Sequence, residues 1–373
     1  MAQSIHIISF DIPFPANYGG AIDVYHKIRC LHKQGIKIIL HCFQYGNRKP
    51  SEQLENLCEQ VYYYQRNQSF INQFSVLPFN VASRINSNLK QRLLQDDFPI
   101  IFEVLHTCYL LNDADLTHRI KFYRHSNIEH HYFNELAKGE KSFFKKIYLK
   151  IEALKLKKFE KQITHANAIL SVSESDLAYF KKEYPNTASY YLPSFHANDA
   201  ITCKAGRGNY ILYHGNLSVS ENYQATNWLI ENVFTKTNHR VIIAGLNPPA
   251  FLIEKIKKHS HIELIQNCTE EQMQQLIAEA HIHCLYTQQA TGLKLKLVNV
   301  LFTGKHIIAN NAMLEGTALQ QTVCIANTAQ EFLQAINRLF KEDFAETTIE
   351  TRKALLQPML NDFKINTLLK LLN

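Results

Sequence analysis

Short apolar runs alternate with stretches of helical periodicity along most of this chain. Residues 4–10 are an apolar run of the kind buried in a parallel sheet. A turn-rich stretch, 11–20, follows and ends in Gly19 and Gly20. Ile22, Tyr25, Ile28 and Leu31 then recur at helical spacing, which predicts a helix over 21–34, closed by Gly35, and a strand over 36–43. This is a βαβ unit with a Gly-Gly loop at the carboxyl end of its first strand, the edge at which open α/β sheets bind ligands. The loop lacks the GxGxxG spacing, which argues against a simple dinucleotide-dependent dehydrogenase. Further strands are expected over 61–64, over 99–107 ending in His106, and over 119–125 delivering Arg124 and His125. Asn127 and Glu129 follow directly, so several polar side chains arrive at one sheet edge, where loops carry function. Residues 69–95 predict a weakly patterned helix. A strand over 168–173 leads to a helix over 174–183 with Ser173 as its N-cap. A last strand over 190–193 precedes a linker-like stretch, 193–208.

The second half repeats the alternation. Strands are expected over 210–214, 240–245, 261–265 and 281–285, with turns at Gly215, Asn216 and Gly245 and a capping box from Thr269 to Gln272. Residues 289–305 then read as a loop running into a helix, with Leu293, Leu297, Val300 and Leu301 on one face and Gly304 as the stop. Residues 306–310 follow as a strand. Lys294 lies in the first helical turn and Lys296 just beyond it. The helix dipole does not favour cations there, but free amides beside lysines suit a phosphate. Ordinary solvated lysines fit that pattern equally well. A helix over 329–340 and a helical segment over 350–373, broken near Pro358, complete the chain. Two α/β domains in sequence suggest a ligand cleft between facing strand ends.

Composition narrows the function. The chain has 373 residues, 46% of them hydrophobic and 20% charged, enough for two folded domains. No apolar run approaches the ~20 residues that span a bilayer, and residues 1–15 resemble a first strand, not a signal peptide. The eight cysteines are scattered without a CxxC pair, which argues against zinc and disulfides and favours a reducing cytoplasm. His125, Glu129, His130 and His131 do not match HExxH, so no metal is expected. The net charge of +7 suits a nucleotide, an acidic membrane face or nucleic acid. Much of it lies in 138–161, where Lys138, Lys141, Lys145, Lys146, Lys150, Lys155, Lys157, Lys158 and Lys161 interleave with Phe143, Phe144, Ile147, Tyr148, Ile151, Leu154 and Phe159. That pattern predicts a helix with one apolar and one basic face, either packed on its own domain or drawn to anionic lipid headgroups. No nucleic-acid-binding signature is present, so nucleic acid is not an expected partner.

The stretch 11–20, the residues 213–218 and the run from Gly292 to Gly304 with a strand beyond together resemble retaining glycosyltransferases of the GT-B fold, similar to family 4. The resemblance covers essentially the whole chain. It implies two Rossmann-like domains facing each other across a cleft. Residues 1–195 would bind the acceptor, residues 196–355 the nucleotide sugar, and a helix over 356–373 would cross back to the first domain. Gly19 and Gly20 would approach the donor phosphates and the acceptor, and His125 would lie by the reacting centre. His214, Gly215, Asn216 and Gly245 would line the nucleotide. Lys294, given a catalytic role with His125, and Lys296 would contact the diphosphate beside Thr291 and Gly292. Asn17, Tyr18, His106, Arg124, Asn127 and Glu129 would face the acceptor. The family places two glutamates, separated by seven residues, around this loop and helix; here those positions are Thr291 and Asn299. Asn299 can hydrogen-bond a ribose hydroxyl, though not as a charged acceptor. The expected activity is transfer of a sugar from a nucleotide donor to a glycan or lipid-linked acceptor in cell-surface polysaccharide or glycoconjugate synthesis. It would need no cofactor or metal and would take place in the cytoplasm, peripherally at the inner membrane face. The missing glutamates leave a non-catalytic nucleotide-sugar or glycan-binding protein as the alternative.

Overall fold

The computed structural model describes residues 4–288 and 295–372. The chain divides into two compact units. One comprises Met1–Ala197 together with Asn361–Asn373, the other Asn198–Leu360.

The first unit is built on seven parallel strands: β1 (Ser4–Ser9), β2 (Lys37–Gln44), β3 (Gln60–Gln65), β4 (Ile100–Glu103), β5 (Lys121–Arg124), β6 (Ala168–Ser171) and β7 (Ala188–Tyr191). Their order is β3-β2-β1-β4-β5-β6-β7. Every position of β1, β4, β5 and β6 is buried, as expected of strands covered on both faces. Polar groups inside this sheet are bonded to one another. His6 Nδ1 lies 2.9 Å from His41 Nε2, and His41 Nδ1 lies 2.8 Å from the Tyr64 hydroxyl. The helix Asn361–Leu371 belongs to this unit. Ile365 and Leu368 join the apolar cluster of Val24, Ile28 and Leu31 from the helix Gly19–Lys33. Lys364 Nζ donates to the Ser194 carbonyl at 2.8 Å and the Asn361 amide to the His196 carbonyl at 2.7 Å.

Three expectations for this unit are corrected. The stretch 69–95 is not one helix but a 3-10 segment, Phe70–Phe74, and two short helices, Phe79–Ala82 and Ser87–Leu93. Pro78 and Asn86 stand before those two helices, and Asn86 accepts from the Leu89 amide as an N-cap. The strand expected over 99–107 stops at Glu103, because Lys27 Nζ holds the Glu103 carboxylate at 2.6 Å and Val104 turns to φ 59°. His106 therefore sits in a 3-10 turn, Leu105–Leu110. Residues 138–161 contribute to two helices, Glu129–Gly139 and Phe143–Glu160. The face of the second helix that packs inward is not the apolar ridge: Phe143, Phe144, Ile147, Ile151 and Leu154 are exposed.

The second unit has six parallel strands: β8 (Ile211–Asn216), β9 (Val241–Leu246), β10 (Ile262–Gln266), β11 (Ile282–Leu285), β12 (His306–Ala309) and β13 (Cys324–Ile325). Their order is β10-β9-β8-β11-β12-β13, which repeats that of the first six strands of the other sheet. The helix Leu295–Thr303 precedes β12. Gly304 follows it, and the reason is close packing: a Cβ there would lie 2.4 Å from His283 Nε2. Buried Arg352 then donates to the Gly304 carbonyl at 2.6 Å and to that of Lys305, satisfying groups beyond the helix end. The expected helical segment at 350–373 is three pieces, Glu346–Leu355, Gln357–Met359 and Asn361–Leu371.

Candidate active site

In each sheet the strand order reverses once, between β1 and β4 and between β8 and β11. Crevices outside the carboxyl ends of such strands are where doubly wound sheets bind ligands.

In the first unit that edge is organised by Asp11. Its carboxylate accepts from the Ile12 amide at 2.8 Å and from the Tyr18 hydroxyl at 2.7 Å, and Arg48 Nε lies 3.3 Å away. Arg48 also bonds Asn17 and stacks 4.8 Å from the Tyr18 ring centre. Burial raises the Asp11 pKa and, with the Asp11 charge, that of the Tyr18 phenol. Gly20 lets the loop close, since a Cβ would lie 2.6 Å from Phe10 Cζ. Arg84 donates twice to the Phe10 carbonyl, at 3.1 and 2.9 Å, and burial, then repulsion from Arg66, pushes its pKa down to about 9. Both Asp11 and Glu129 act on the Arg84 charge. Glu129 lies 3.2 Å from His106 Nε2, which Asn80 also approaches at 3.3 Å. These residues form one polar cluster beyond β1, β4 and β5.

His125 is buried at the end of β5, and neither ring nitrogen has a hydrogen-bond partner. Its Nδ1 is 3.8 Å from Asp176, beyond bonding distance, and its ring leans on Phe180 with centroids 4.6 Å apart. Burial holds its pKa well below the usual histidine value. Arg124 behaves differently. Its guanidinium is enclosed, bonding Asp23 at 3.1 and 3.2 Å and the Leu192 carbonyl. Asn127 is half-buried in the loop before the helix Glu129–Gly139. Asp11, Arg48, Arg66 and Arg84 were not singled out from sequence. Asp11 stands within a motif that was, but the three arginines come from segments with no periodic signal.

In the second unit Lys296 is central. Its Nζ donates to Asn222 Oδ1 at 2.8 Å and lies 5.5 Å from the Tyr213 ring centre. Asn222 in turn donates to the Asn216 carbonyl at 2.9 Å and packs where a Gly215 side chain would be. Burial lowers the Lys296 pKa to about 8, with Glu221 pulling the other way. Burial and then the Lys296 charge lower that of His214 to about 3, so its imidazole stays neutral. Gly215, Asn216 and Gly245, expected as turns, lie instead at the ends of β8 and β9, where Gly215 pairs with Gly245; a Cβ on Gly245 would lie 2.1 Å from the Gly215 carbonyl oxygen. Thr287, after β11, bonds Glu221 and Asn310. Thr291, Gly292 and Lys294 lie outside the described residues. Asn299 has other partners: its Oδ1 accepts from Asn198 at 3.0 Å and Gln274 at 3.4 Å.

The second unit also holds a cavity of about 700 Å3 lined by Thr202, Lys204, Arg207, Tyr210 and Lys305. It lies where β8 and β12 begin, the edge opposite the one at which such sheets bind ligands. Among the described residues, no cluster of three or more His, Cys, Asp or Glu could hold a metal ion. All eight cysteines are free thiols. No described helix is long and apolar enough to cross a membrane.

No protein-family model matches the chain. A sequence relative is an uncharacterized 44.6 kDa protein in the cps region of Klebsiella pneumoniae, 26% identical over 357 residues and covering 90% of each chain. Solved structures are similar over the full length. Sucrose-phosphate synthase from Thermosynechococcus elongatus aligns with a TM-score of 0.69 at 12% identity, covering 99% of this chain and 98% of that one. An Anabaena protein in complex with UDP and glucose aligns at 0.64 and 11% identity, covering 99% and 100%. A UDP-forming α,α-trehalose-phosphate synthase from Burkholderia xenovorans, in complex with glucose-6-phosphate, aligns at 0.62 and 11%, covering 100% of both. Two parallel Rossmann-like α/β units and full-length similarity to these proteins give this chain the GT-B fold.

Proposed function

We propose that this protein transfers a sugar from a nucleotide donor to a glycan or lipid-linked acceptor, with retention, in the synthesis of a cell-surface polysaccharide or glycoconjugate at the inner membrane face. The observation that carries the reading is Lys296. It is a desolvated cation set by way of Asn222 beside the end of β8 at Asn216, at the switch point of a sheet whose solved relative binds UDP. Negative charge develops on the leaving diphosphate, and a fixed cation among amide dipoles stabilises it more in a dry site than in water. No metal is then required. Gly215, Asn216, Gly245 and Lys296, with His214 kept neutral behind them, form the donor wall. Thr291, Gly292 and Lys294 would extend it, with Asn299 towards the ribose. In the first unit, Gly19, Gly20 and His125 would face the reacting centre. Asn17, Tyr18, His106, Asn127 and Glu129 would face the acceptor, with Arg124 supporting them from within.

A thermal-shift screen with UDP, GDP, ADP and their sugars tests the reading. A ligand bound only by the folded state stabilises it by about 2.7 kcal/mol at roughly a hundredfold excess over Kd. Stabilisation by a nucleotide sugar, with slow hydrolysis of that donor, is the expected result. No stabilisation and no hydrolysis across the panel would overturn the reading. A second reading, binding without turnover, is favoured by Asn299, whose carboxamide oxygen is already bonded to Asn198 and Gln274. It predicts stabilisation without hydrolysis or transfer.

A further inference from the structure

The helix Phe143–Glu160 is amphipathic with its apolar ridge turned outward. Its inward face carries Glu152, Ala153, Leu156, Phe159 and Glu160, all buried. The two carboxylates there are bonded into the fold. Glu152 accepts from the Phe79 amide at 2.7 Å, and Glu160 accepts from the Tyr179 and Tyr184 hydroxyls at 2.7 and 2.9 Å. Its outward face presents Phe143, Phe144, Ile147, Ile151 and Leu154, between 41% and 82% exposed.

A second apolar group lies alongside. Phe70, Ile71, Phe74 and Val76 are between 67% and 81% exposed. Lys155 joins the two segments by donating to Glu152 at 2.9 Å and to the Gln73 carbonyl at 3.2 Å. Nine large apolar side chains in two adjoining segments are far more than the scattered exposure normal for a soluble surface.

Charge selects the occupant. Residues 138–161 hold nine lysines against three glutamates, a local balance of +6 within the chain's +7, and two of those glutamates are the buried pair. Residues 66–79 contain no acidic residue. A second copy docked about a two-fold axis would set these lysine rows against each other. A bilayer with anionic headgroups accepts the aromatic and aliphatic ridge while the lysines reach the phosphates.

We propose that the helix Phe143–Glu160 and residues 70–76 form a two-part membrane-docking surface, inserting apolar side chains into the interfacial layer of a bilayer rich in anionic phospholipid. The idea deepens the proposed membrane-side function and rests on it for its cellular setting, but its test is independent of sugar transfer.

The test is flotation of the full-length protein with vesicles of equimolar phosphatidylglycerol and phosphatidylcholine, and with phosphatidylcholine alone. Binding is expected to the first and to be much weaker with the second. Phe143→Ser with Phe144→Ser, or Phe70→Ser with Phe74→Ser, each removes two inserted rings and should lower partitioning at least about 100-fold. Lys145→Gln, Lys146→Gln and Lys150→Gln together should lower it on the order of 100-fold and flatten its salt dependence. All these variants should keep the nucleotide-induced thermal shift of the parent, which separates failure of docking from failure of the donor site. Absence of binding to the anionic vesicles would overturn the proposal. So would unchanged binding in the variants, or concentration-dependent self-association lost in the same variants.

Discussion

Binding of a nucleoside diphosphate should weaken as pH rises through the pKa of Lys296. Burial brings that pKa from 10.5 down to about 8. The lysine is then about nine-tenths protonated at pH 7 and about one-tenth at pH 9, so affinity should fall about tenfold over that range. A lysine at the ordinary value would stay charged throughout and give a flat profile. The contribution of Lys296 to stability moves the other way. The folded pKa is depressed, so between about pH 8 and 10.5 the unfolded chain binds more protons at this site, and its contribution to ligand-free stability rises with pH. The stability term of this lysine itself therefore does not imitate the effect. The assay is calorimetric titration with UDP, or whichever nucleotide stabilises best, across this window. Lys296→Arg keeps its charge and should remove the pH dependence. Lys296→Met should weaken binding by about 1.5–3 kcal/mol, the range of a charge-assisted hydrogen bond, with no dependence left. A flat wild-type profile, or a Met variant with the same slope as the parent, would refute the reasoning.

Two further outcomes can be measured directly. Gly245→Ala places a methyl 2.1 Å from a backbone oxygen that cannot move cheaply, so unfolding should be easier by about 1–3 kcal/mol and the nucleotide shift should shrink; an unchanged melting curve would contradict this. Burial holds His41 and His283 well below their ordinary pKa, so each contributes stability that is full above about pH 6.5 and lost progressively below it; a urea midpoint that does not fall between about pH 7 and pH 5 would count against neutral burial.

The strands were legible because their signals are local. An apolar run bounded by glycine reads the same in sequence and in the sheet, although Gly215 and Gly245, expected as turns, are the last paired residues but one of β8 and β9. The polar cluster of the first unit was less legible. Arg48, Arg66 and Arg84 reach it through tertiary placement, and no spacing between them encodes that. Periodicity separated the faces of the helix Phe143–Glu160 but could not say which points inward. A carboxylate normally marks the solvent side, yet Glu152 and Glu160 are buried because an amide and two tyrosines compensate them. Gly304 ends the helix as expected, and its lack of a side chain also admits the close approach of His283, which no local signal reveals.

The first unit is discontinuous along the chain, and this bears on synthesis. The ribosome releases residues 4–197 early, but Ile365 and Leu368, which close the cluster around Val24 and Leu31, emerge only after the whole second unit. The second unit, continuous from Asn198 to Leu360, can assemble as soon as its own residues are free. The first unit therefore waits for a segment made after the second. Until then the apolar face of the helix Gly19–Lys33 lacks its cover, and Ser194 and His196 lack the donors from Lys364 and Asn361.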